Sequence, residues 1–424
     1  MSRAAEIPTL RSASYEADPE QVKRVLLLYS GGLDTSVMLK WIQDSYEAEV
    51  VCLTVNLGQP GEDYEVIEGK ALALGALECH VVDAREEFAR EYLAPAIRAN
   101  AMYGGYPLFT ALGRPLIAKL AVEHARSSGC DTIAHGCTGK GNDQVRIEAT
   151  IATLGPELKV IAPVRSWQMG RDEEIAYARE HNIPIKTLPS QPGVEVAPYS
   201  IDDNLWGRSS EGRWIEQLDH APEDDVFQLV TRPEQAPDEP EYVVLGFEHG
   251  VPVTLGGQRL ELVELIEQVA AIGARHGVGI VDHIEDRIVG LKVRDIYEVP
   301  AAAIILPAHQ ELERLVCTIH QNQFKPELDR QWAYLVYAGL WWEPLRGDLD
   351  AYMQRVNERV TGTIGLKLYK GSARVVTRSS ENAVYDASLA SFAESGGLFS
   401  QTASPGFIEL WSLQSRMAWR LRNT

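Results

Sequence analysis

The chain of 424 residues exceeds the length at which one hydrophobic core stops growing, so two domains with an accessory segment are expected. With 45% hydrophobic and 24% charged residues it has an ordinary globular composition, and no apolar run approaches the roughly 20 residues of a membrane span. A formal net charge of -20 argues against a nucleic-acid partner, whose affinity rests on Lys and Arg neutralising phosphates. Cys52, Cys79, Cys130, Cys137 and Cys317 show no CxxC spacing and fit reduced thiols in a cytosolic protein. Cys79-His80 and Cys137 near His135 lack the second ligand pair that a zinc site requires.

Residues 1–21 lack the apolar core of a secretory signal and read as a flexible extension. From 22 to 186 strand and helix alternate. "RVLLLYS" is a buried strand, and in "TSVMLKWIQDSY" the pairs Val37/Trp41 and Met38/Ile42 have helical spacing. "AEVVCLTVNLG" completes a βαβ unit with parallel strands. "PLFTALGRPLIAKLAVEHARSSG" is a helix closed by Gly129, "DTIAHG" a third strand and "KVIAPV" a fourth. "RDEEIAYAREHNIPI" is a helix stopped near Asn182 and Pro184. This pattern predicts an α/β domain with a doubly wound parallel sheet.

Residues 187–385 read as a mixed α+β domain. "RPEQAPDEPE" is a surface loop, and "EYVVLGFEHGVPVTL" a hairpin turning at 248–250. Leu262, Leu265, Val269 and Ile272 recur at helical spacing, "AAAIILP" from Ala301 suits a buried strand, and "GTIGLKLYKGSARVVTR" is a hairpin turning at Lys370-Gly371. In the last segment, 386–424, Leu410, Leu413, Met417 and Leu421 share one helical face, which packs on its own domain or on a partner subunit.

"YSGGLDTS", Tyr29 to Ser36, follows the first strand. Glycines there let backbone approach a ligand, and the helix N-terminus behind them offers free N–H donors to a phosphate. Ser30, Thr35 and Ser36 offer hydroxyls, while Asp34 suits a helix cap or a phosphate-bound Mg²⁺. GxxxxGK[ST] and GxGxxG are absent from this loop, leaving an SGGxDS-like pyrophosphate loop. "HGCTGKGNDQVR" should lie beside it at the carboxyl edge of the sheet, with Lys140 against phosphate and Asn142 and Asp143 holding an amine. Tyr106 and Thr110, spaced i, i+4, are expected to face one way at a helix start. Polar clusters follow at Ser200, Asp202, Asn204, Arg208 and Ser209, and at Glu285, Arg287, Arg294 and Tyr297.

Together, "YSGGLDTS", "TGKGNDQVR", "YSIDDNLWGRSSEG", "HIEDRIVGLKVRDIYE" and "VYAGLW…PL…VTGTIGLKLYKG" resemble the argininosuccinate synthase family, in its order, from Val22 to Leu413. The resemblance implies an adenine nucleotide alpha hydrolase-like first domain and a synthetase domain. It also implies ATP-dependent ligation of citrulline to aspartate through a citrullyl-adenylate, with Mg²⁺ on the ATP phosphates. A cytoplasmic homotetramer, joined partly by the C-terminal segment, is implied as well. Carried over by position, Leu28, Tyr29, Ser30, Gly31, Gly32, Leu33, Asp34, Thr35 and Ser36 would hold ATP, with Val55 against the nucleotide. Ala134, His135, Gly136, Cys137, Thr138, Gly139, Lys140, Gly141 and Asn142 would complete that site. Thr138, Asn142 and Asp143 would bind aspartate. Tyr106, Thr110, Ala111, Asn142, Arg146, Ser200, Ser209, Glu285 and Tyr297 would bind citrulline. Asp34, Asn142, Asp143 and Arg146 would act at the reacting groups. Ala111, Gly113, Cys137 and Ile280 depart from the usual pattern, which keeps a citrulline analogue open as acceptor. A non-catalytic ATP or amino-acid sensor is the competing reading.

Overall fold

The computed structural model describes residues 13–167, 169–184, 199–390 and 399–423. Its first sheet contains β1 (Arg24–Leu28), β2 (Glu49–Asn56), β3 (Glu78–Asp83), β4 (Thr132–Ala134) and β5 (Lys159–Ile161), in the order β3-β2-β1-β4-β5. All neighbouring pairs are parallel. Alternation along β1 sorts its side chains between two faces. Val25 and Leu27 pack with Val37, Trp41 and Ile42 of α1 (Leu33–Tyr46), while Leu26 joins Leu112 and Leu116 of α3 (Thr110–Ser127). Helices α2 (Tyr64–Ala73) and α5 (Arg171–Glu180) add Ile67, Ala71 and Ala178 to the α1 side. The sheet is therefore covered on both faces, as a doubly wound fold requires. Strand order reverses between β1 and β4, which opens a crevice at their carboxyl ends.

Three expectations change in this half. The "DTIAHG" strand is fourth in the sheet by sequence, because "ECHVVD" forms the edge strand β3, whose half-exposed side chains give little apolar signal. Residues 13–21 are not a loose extension: Val160 N–H donates to the Tyr15 carbonyl and Ala17 N–H to the Val160 carbonyl, each at 3.0 Å, so this stretch lies along β5. Tyr106 precedes the helix, in a two-residue strand paired with Met102–Tyr103, and only Thr110 begins α3. Gly129 does follow α3, with φ +67°.

The second half holds two antiparallel sheets. One runs β9-β8-β12-β13, with β8 (Glu241–Glu248), β9 (Val251–Leu255), β12 (Gly362–Tyr369) and β13 (Ser372–Ser379), and Gln258–Arg259 at its outer edge. Both expected hairpins turn through two positive φ values, 49° and 77° at His249-Gly250 and 40° and 85° at Lys370-Gly371. The other sheet runs β10-β11-β7-β6, with β6 (Ser200–Asn204), β7 (Gly207–Glu211), β10 (Ile280–Asp286) and β11 (Lys292–Glu298). Helix α6 (Leu262–Arg275) buries Leu262, Leu265 and Val269.

"AAAIILP" is not a strand. It lies in α7 (Pro300–Val316), which starts with Pro300 and buries Ala301, Ala302, Ile304 and Ile305. A short apolar run carries no period, and Pro at the first helical position was the signal that decided it. Helices α8 (Ile319–Tyr337) and α9 (Pro344–Asn357) complete this half. The last two, α10 (Ser404–Trp411) and α11 (Leu413–Arg422), leave Leu410, Leu413, Met417 and Leu421 exposed, so the apolar face does not pack on its own domain. The expected 186/187 boundary lies outside the described residues.

Leu26 is fully buried beneath α3. Leu26→Ala is expected to cost about 2–5 kcal/mol, observed as a lower urea midpoint by tryptophan fluorescence.

Candidate active site

The first loop turns from β1 into α1 through Gly31, whose φ is +74°. A Cβ there would lie 2.9 Å from Ile67 Cγ1, so both conformation and space call for glycine. Gly32 is the N-cap of α1 and supplies no side-chain cap; Asp34 is instead the second helical residue, in the first turn. The free amide donors of this helix start lie at the carboxyl end of β1, where a phosphate is favoured. Ser30 and Thr35 hydroxyls meet at 3.1 Å on the exposed side. Ser36 departs from expectation: its hydroxyl is buried, donates to the Gly32 carbonyl at 2.6 Å and sits 3.1 Å from the Tyr29 hydroxyl. Tyr29 and Ser36 therefore brace the loop from inside. Lys70 of α2 donates to the Gly31 carbonyl at 2.9 Å, a support absent from the motif itself.

The second loop leaves β4, the neighbour of β1, so the two loops lie side by side as expected. A Cβ on Gly136 would sit 2.7 Å from Met38 Cε, which measures how closely this loop approaches α1. His135 is buried; its Nε2 lies 2.9 Å from Glu148, and its Nδ1 accepts from Cys137 N–H at 3.2 Å. This assigns the Nε2–H tautomer and makes His135 a brace. Burial raises the Cys137 thiol pKa, keeping it protonated. Thr138, Gly139 and Lys140 remain exposed, and Val55 closes the buried end of β2.

Where α4 (Asp143–Leu154) begins, the two halves of the chain meet. Asn142 Nδ2 donates to Glu285 Oε1 at 3.2 Å and to the Tyr337 hydroxyl at 2.8 Å, and its Oδ1 accepts from Ile288 N–H at 3.0 Å. Glu285 also accepts from the Tyr297 hydroxyl at 2.6 Å. Tyr297 stacks on Tyr106, with centroids 4.4 Å apart, and lies opposite Ser209 in the β11–β7 register. Arg146 donates to Thr110 at 3.0 Å, to Asp143 at 2.8 Å and to the Tyr337 carbonyl at 3.1 Å. Its Nη2 is buried with no hydrogen-bond partner among the described residues, leaving that nitrogen's N–H donors for an incoming acceptor.

Asp143 lies between two guanidinium groups, 2.7 Å from Arg114 and 2.8 Å from Arg146, and Arg114 reaches Asp202 at 2.5 Å. Burial alone would raise the Asp143 carboxyl, but the two arginines hold it down at about 2. Asp295 shows the opposite balance. Burial, then the charges of Glu211 and Glu285, push it up to about 8 despite Arg287 at 3.3 Å. Nearby, Glu285 accepts from Tyr297 and Asn142.

Residues 24–184 match the description "Arginosuccinate synthase N-terminal HUP domain", and residues 199–418 match "Arginosuccinate synthase C-terminal domain". The chain belongs to the argininosuccinate synthase family. It is 54% identical over 395 residues to an argininosuccinate synthase of Rubrobacter xylanophilus, covering 93% of this chain and 94% of that protein. That of Pyrococcus furiosus is 48% identical over 399 residues, covering 94% and 95%.

Among the residues that the family resemblance singled out, the fold joins Tyr106, Thr110, Asn142, Asp143, Arg146, Glu285 and Tyr297 in one network. Ala111 is buried in the apolar core, and the neighbouring hydroxyl of Thr110 is the one that meets Arg146. Ser200 stands at the exposed start of β6, opposite Glu211. Arg294 pairs with Asp282 and with carbonyls of Gln217 and His220, outside the network. Arg287 bonds the Lys140 carbonyl at 3.3 Å and pairs with Glu211, tying the second loop to β7. Tyr337, Arg114 and Asp295 were not anticipated. Arg114 and Asp295 carried no spacing signal, and Tyr337 lies in an apolar helix end that reads as core.

Gly31→Ala forces a Cβ into left-handed backbone against Ile67. It is expected to raise the KM for ATP by at least about tenfold, measured in steady-state assays at saturating co-substrates. Asp295 has a folded pKa above its ordinary 3.8, so its contribution to stability is complete below that value and disappears as pH rises through about 8. The thermal midpoint should therefore fall between pH 5 and pH 9 in the natural protein and fall less in Asp295→Asn; equal slopes by calorimetry would contradict the assignment.

Proposed function

We propose that the protein is an ATP-dependent ligase that joins citrulline to aspartate, giving argininosuccinate, AMP and pyrophosphate in arginine biosynthesis. The reading rests on one observation: Asn142 and Arg146, immediately behind the second glycine loop, bond directly to Glu285 and Tyr337 of the other half, and Asp143 between them pairs with Arg146. A nucleotide tail in the crevice would thus lie next to a pocket rich in fixed donors and acceptors.

In the first step the ureido oxygen of citrulline attacks the α-phosphorus, the α–β bridging bond breaks, and pyrophosphate leaves. In the second, the amine of aspartate attacks the ureido carbon of the citrullyl-adenylate, and AMP leaves. The chain contributes positioning and charge neutralisation, the dominant needs of phosphoryl and adenylyl transfer. Helix α1 and both glycine loops would hold the phosphates. The spare Nη2 of Arg146 suits a substrate carboxylate, and Glu285 suits an amine or ureido N–H. Asp143, ionised down to about pH 2, suits the amino group of aspartate. Asp34, in the first turn of α1, fits an oxygen ligand for Mg²⁺ carried by the ATP phosphates.

The domain division follows the same reading, with a nucleotide domain to 186, now including residues 13–21, a synthetase domain over 187–385 and a terminal segment from 386. The exposed apolar faces of α10 and α11 fit subunit contacts in a homotetramer, and the acidic, thiol-bearing chain fits the cytoplasm. No helix among the described residues is long and apolar enough to cross a membrane.

The purified chain should release pyrophosphate and AMP from ATP only when citrulline and aspartate are both supplied for turnover. Silence with both present would refute the reading. Asp143→Asn should lower ligation at least about a hundredfold while ATP affinity by calorimetry stays within about twofold, because an interaction made only with the second substrate is removed. Equal loss of ATP affinity would argue against Asp143 serving aspartate.

A further inference from the structure

Helix α8 ends in Tyr337, a fully buried residue inside the "VYAGLW" stretch, to which no role has so far been attached. Its hydroxyl, carbonyl and ring between them touch three residues of the network. Its hydroxyl accepts from Asn142 Nδ2 at 2.8 Å and donates to Glu285 Oε1 at 2.5 Å. Its backbone carbonyl accepts from Arg146 Nε at 3.1 Å. Its ring lies under the Arg146 guanidinium, 5.0 Å from Cζ to centroid, and stacks at 3.6 Å on Tyr103. The turn that follows is pressed against α4: a Cβ on Gly339 would lie 3.0 Å from Arg146 Cα.

A buried tyrosine that served packing alone would need one partner for its hydroxyl. Here one proton and one lone pair serve an amide and a carboxylate of the network at once. A hydroxyl has a single hydrogen, and the charged Glu285 oxygen is a stronger acceptor than the Asp286 carbonyl 3.0 Å away. Burial and the Glu285 charge raise the phenol pKa, so it stays protonated and donates. With Ile288 N–H on its Oδ1, Asn142 is held in one amide orientation. With its carbonyl on Nε and its ring under the guanidinium plane, Tyr337 fixes Arg146 so that Nη2 is the donor left over.

We propose that Tyr337 is a positioning residue for the citrulline pocket: it sets the amide of Asn142, the carboxylate of Glu285 and the guanidinium of Arg146 at once. The inference rests on the citrulline–aspartate ligase reading and goes beyond it by assigning the orientation of three pocket groups to a residue that need not touch substrate.

The test is Tyr337→Phe in the full-length enzyme, which keeps ring and carbonyl and removes only the hydroxyl. The KM for citrulline is expected to rise roughly tenfold, the worth of one hydrogen bond to a charged group, while the KM for ATP stays within about twofold. A merely structural hydroxyl would lower the thermal midpoint and shift the ATP and citrulline constants together, or shift neither; either result overturns the proposal. Tyr337→Leu, checked for folding by circular dichroism, should add a fall in kcat as Arg146 loses its platform. A crystal structure of Tyr337→Phe gives a readout independent of turnover. Rotation of the Asn142 amide or the Glu285 carboxylate supports the assignment, and an unmoved pair overturns it. Absence of pyrophosphate release by the natural enzyme with both substrates would count against the functional reading instead.

Discussion

Asn142 makes the bond on which the rest of the molecule depends. It is the last residue of the second glycine loop, and its side chain is consumed by groups of the other half: Glu285, Ile288 and Tyr337. A loop that must approach phosphates closely cannot also carry bulky packing side chains. Its position has to be fixed from its far end, and Asn142 does so with an amide whose two ends differ. The carbonyl oxygen finds a backbone N–H and the amide nitrogen finds two oxygens, so its orientation is fixed by chemistry as well as by shape.

Around that bond the fold gathers charges that would be costly if left alone. Asp143, Arg114, Arg146 and Asp202 form an alternating chain of contacts no longer than 2.8 Å, running from α4 across α3 to β6. Each charge has an opposite neighbour, and removing either inner member, Asp143 or Arg114, leaves Arg146 or Asp202 without its partner in the chain. Asp295, buried near Glu211 and Glu285, meets a like-charge conflict differently, by holding its proton more tightly. One network thus holds a carboxyl ionised at about pH 2 and another protonated to about pH 8, and the difference lies in which neighbours each one faces.

The phosphate loops follow the same division between scaffold and contact. Tyr29, Ser36 and His135 sit within the motif stretches yet spend their polar atoms on the protein itself. Their work is to hold glycine backbone in place, leaving the amides, Ser30, Thr35 and the exposed Thr138 and Lys140 for a ligand. Membership of a motif therefore does not separate residues that would touch ATP from those that hold the loop open to it.

The sequence by itself determined most elements of the nucleotide-binding half. Strand alternation, helical spacing and glycine after strand are local properties, and the two hairpin turns were legible because positive φ selects glycine. Motif order was enough to indicate the family. It misread "AAAIILP", whose apolar run has no period of its own, missed the half-exposed edge strand β3, and left residues 13–21 loose although they line β5. Only the tertiary structure decided which polar residues converge. Tyr337 is 195 residues from Asn142, and their meeting depends on where α8 stops against α4. Spacing rules encode neighbours within one element; a pocket built from two domains is encoded by how their cores seat against each other, and no short stretch of chain carries that information.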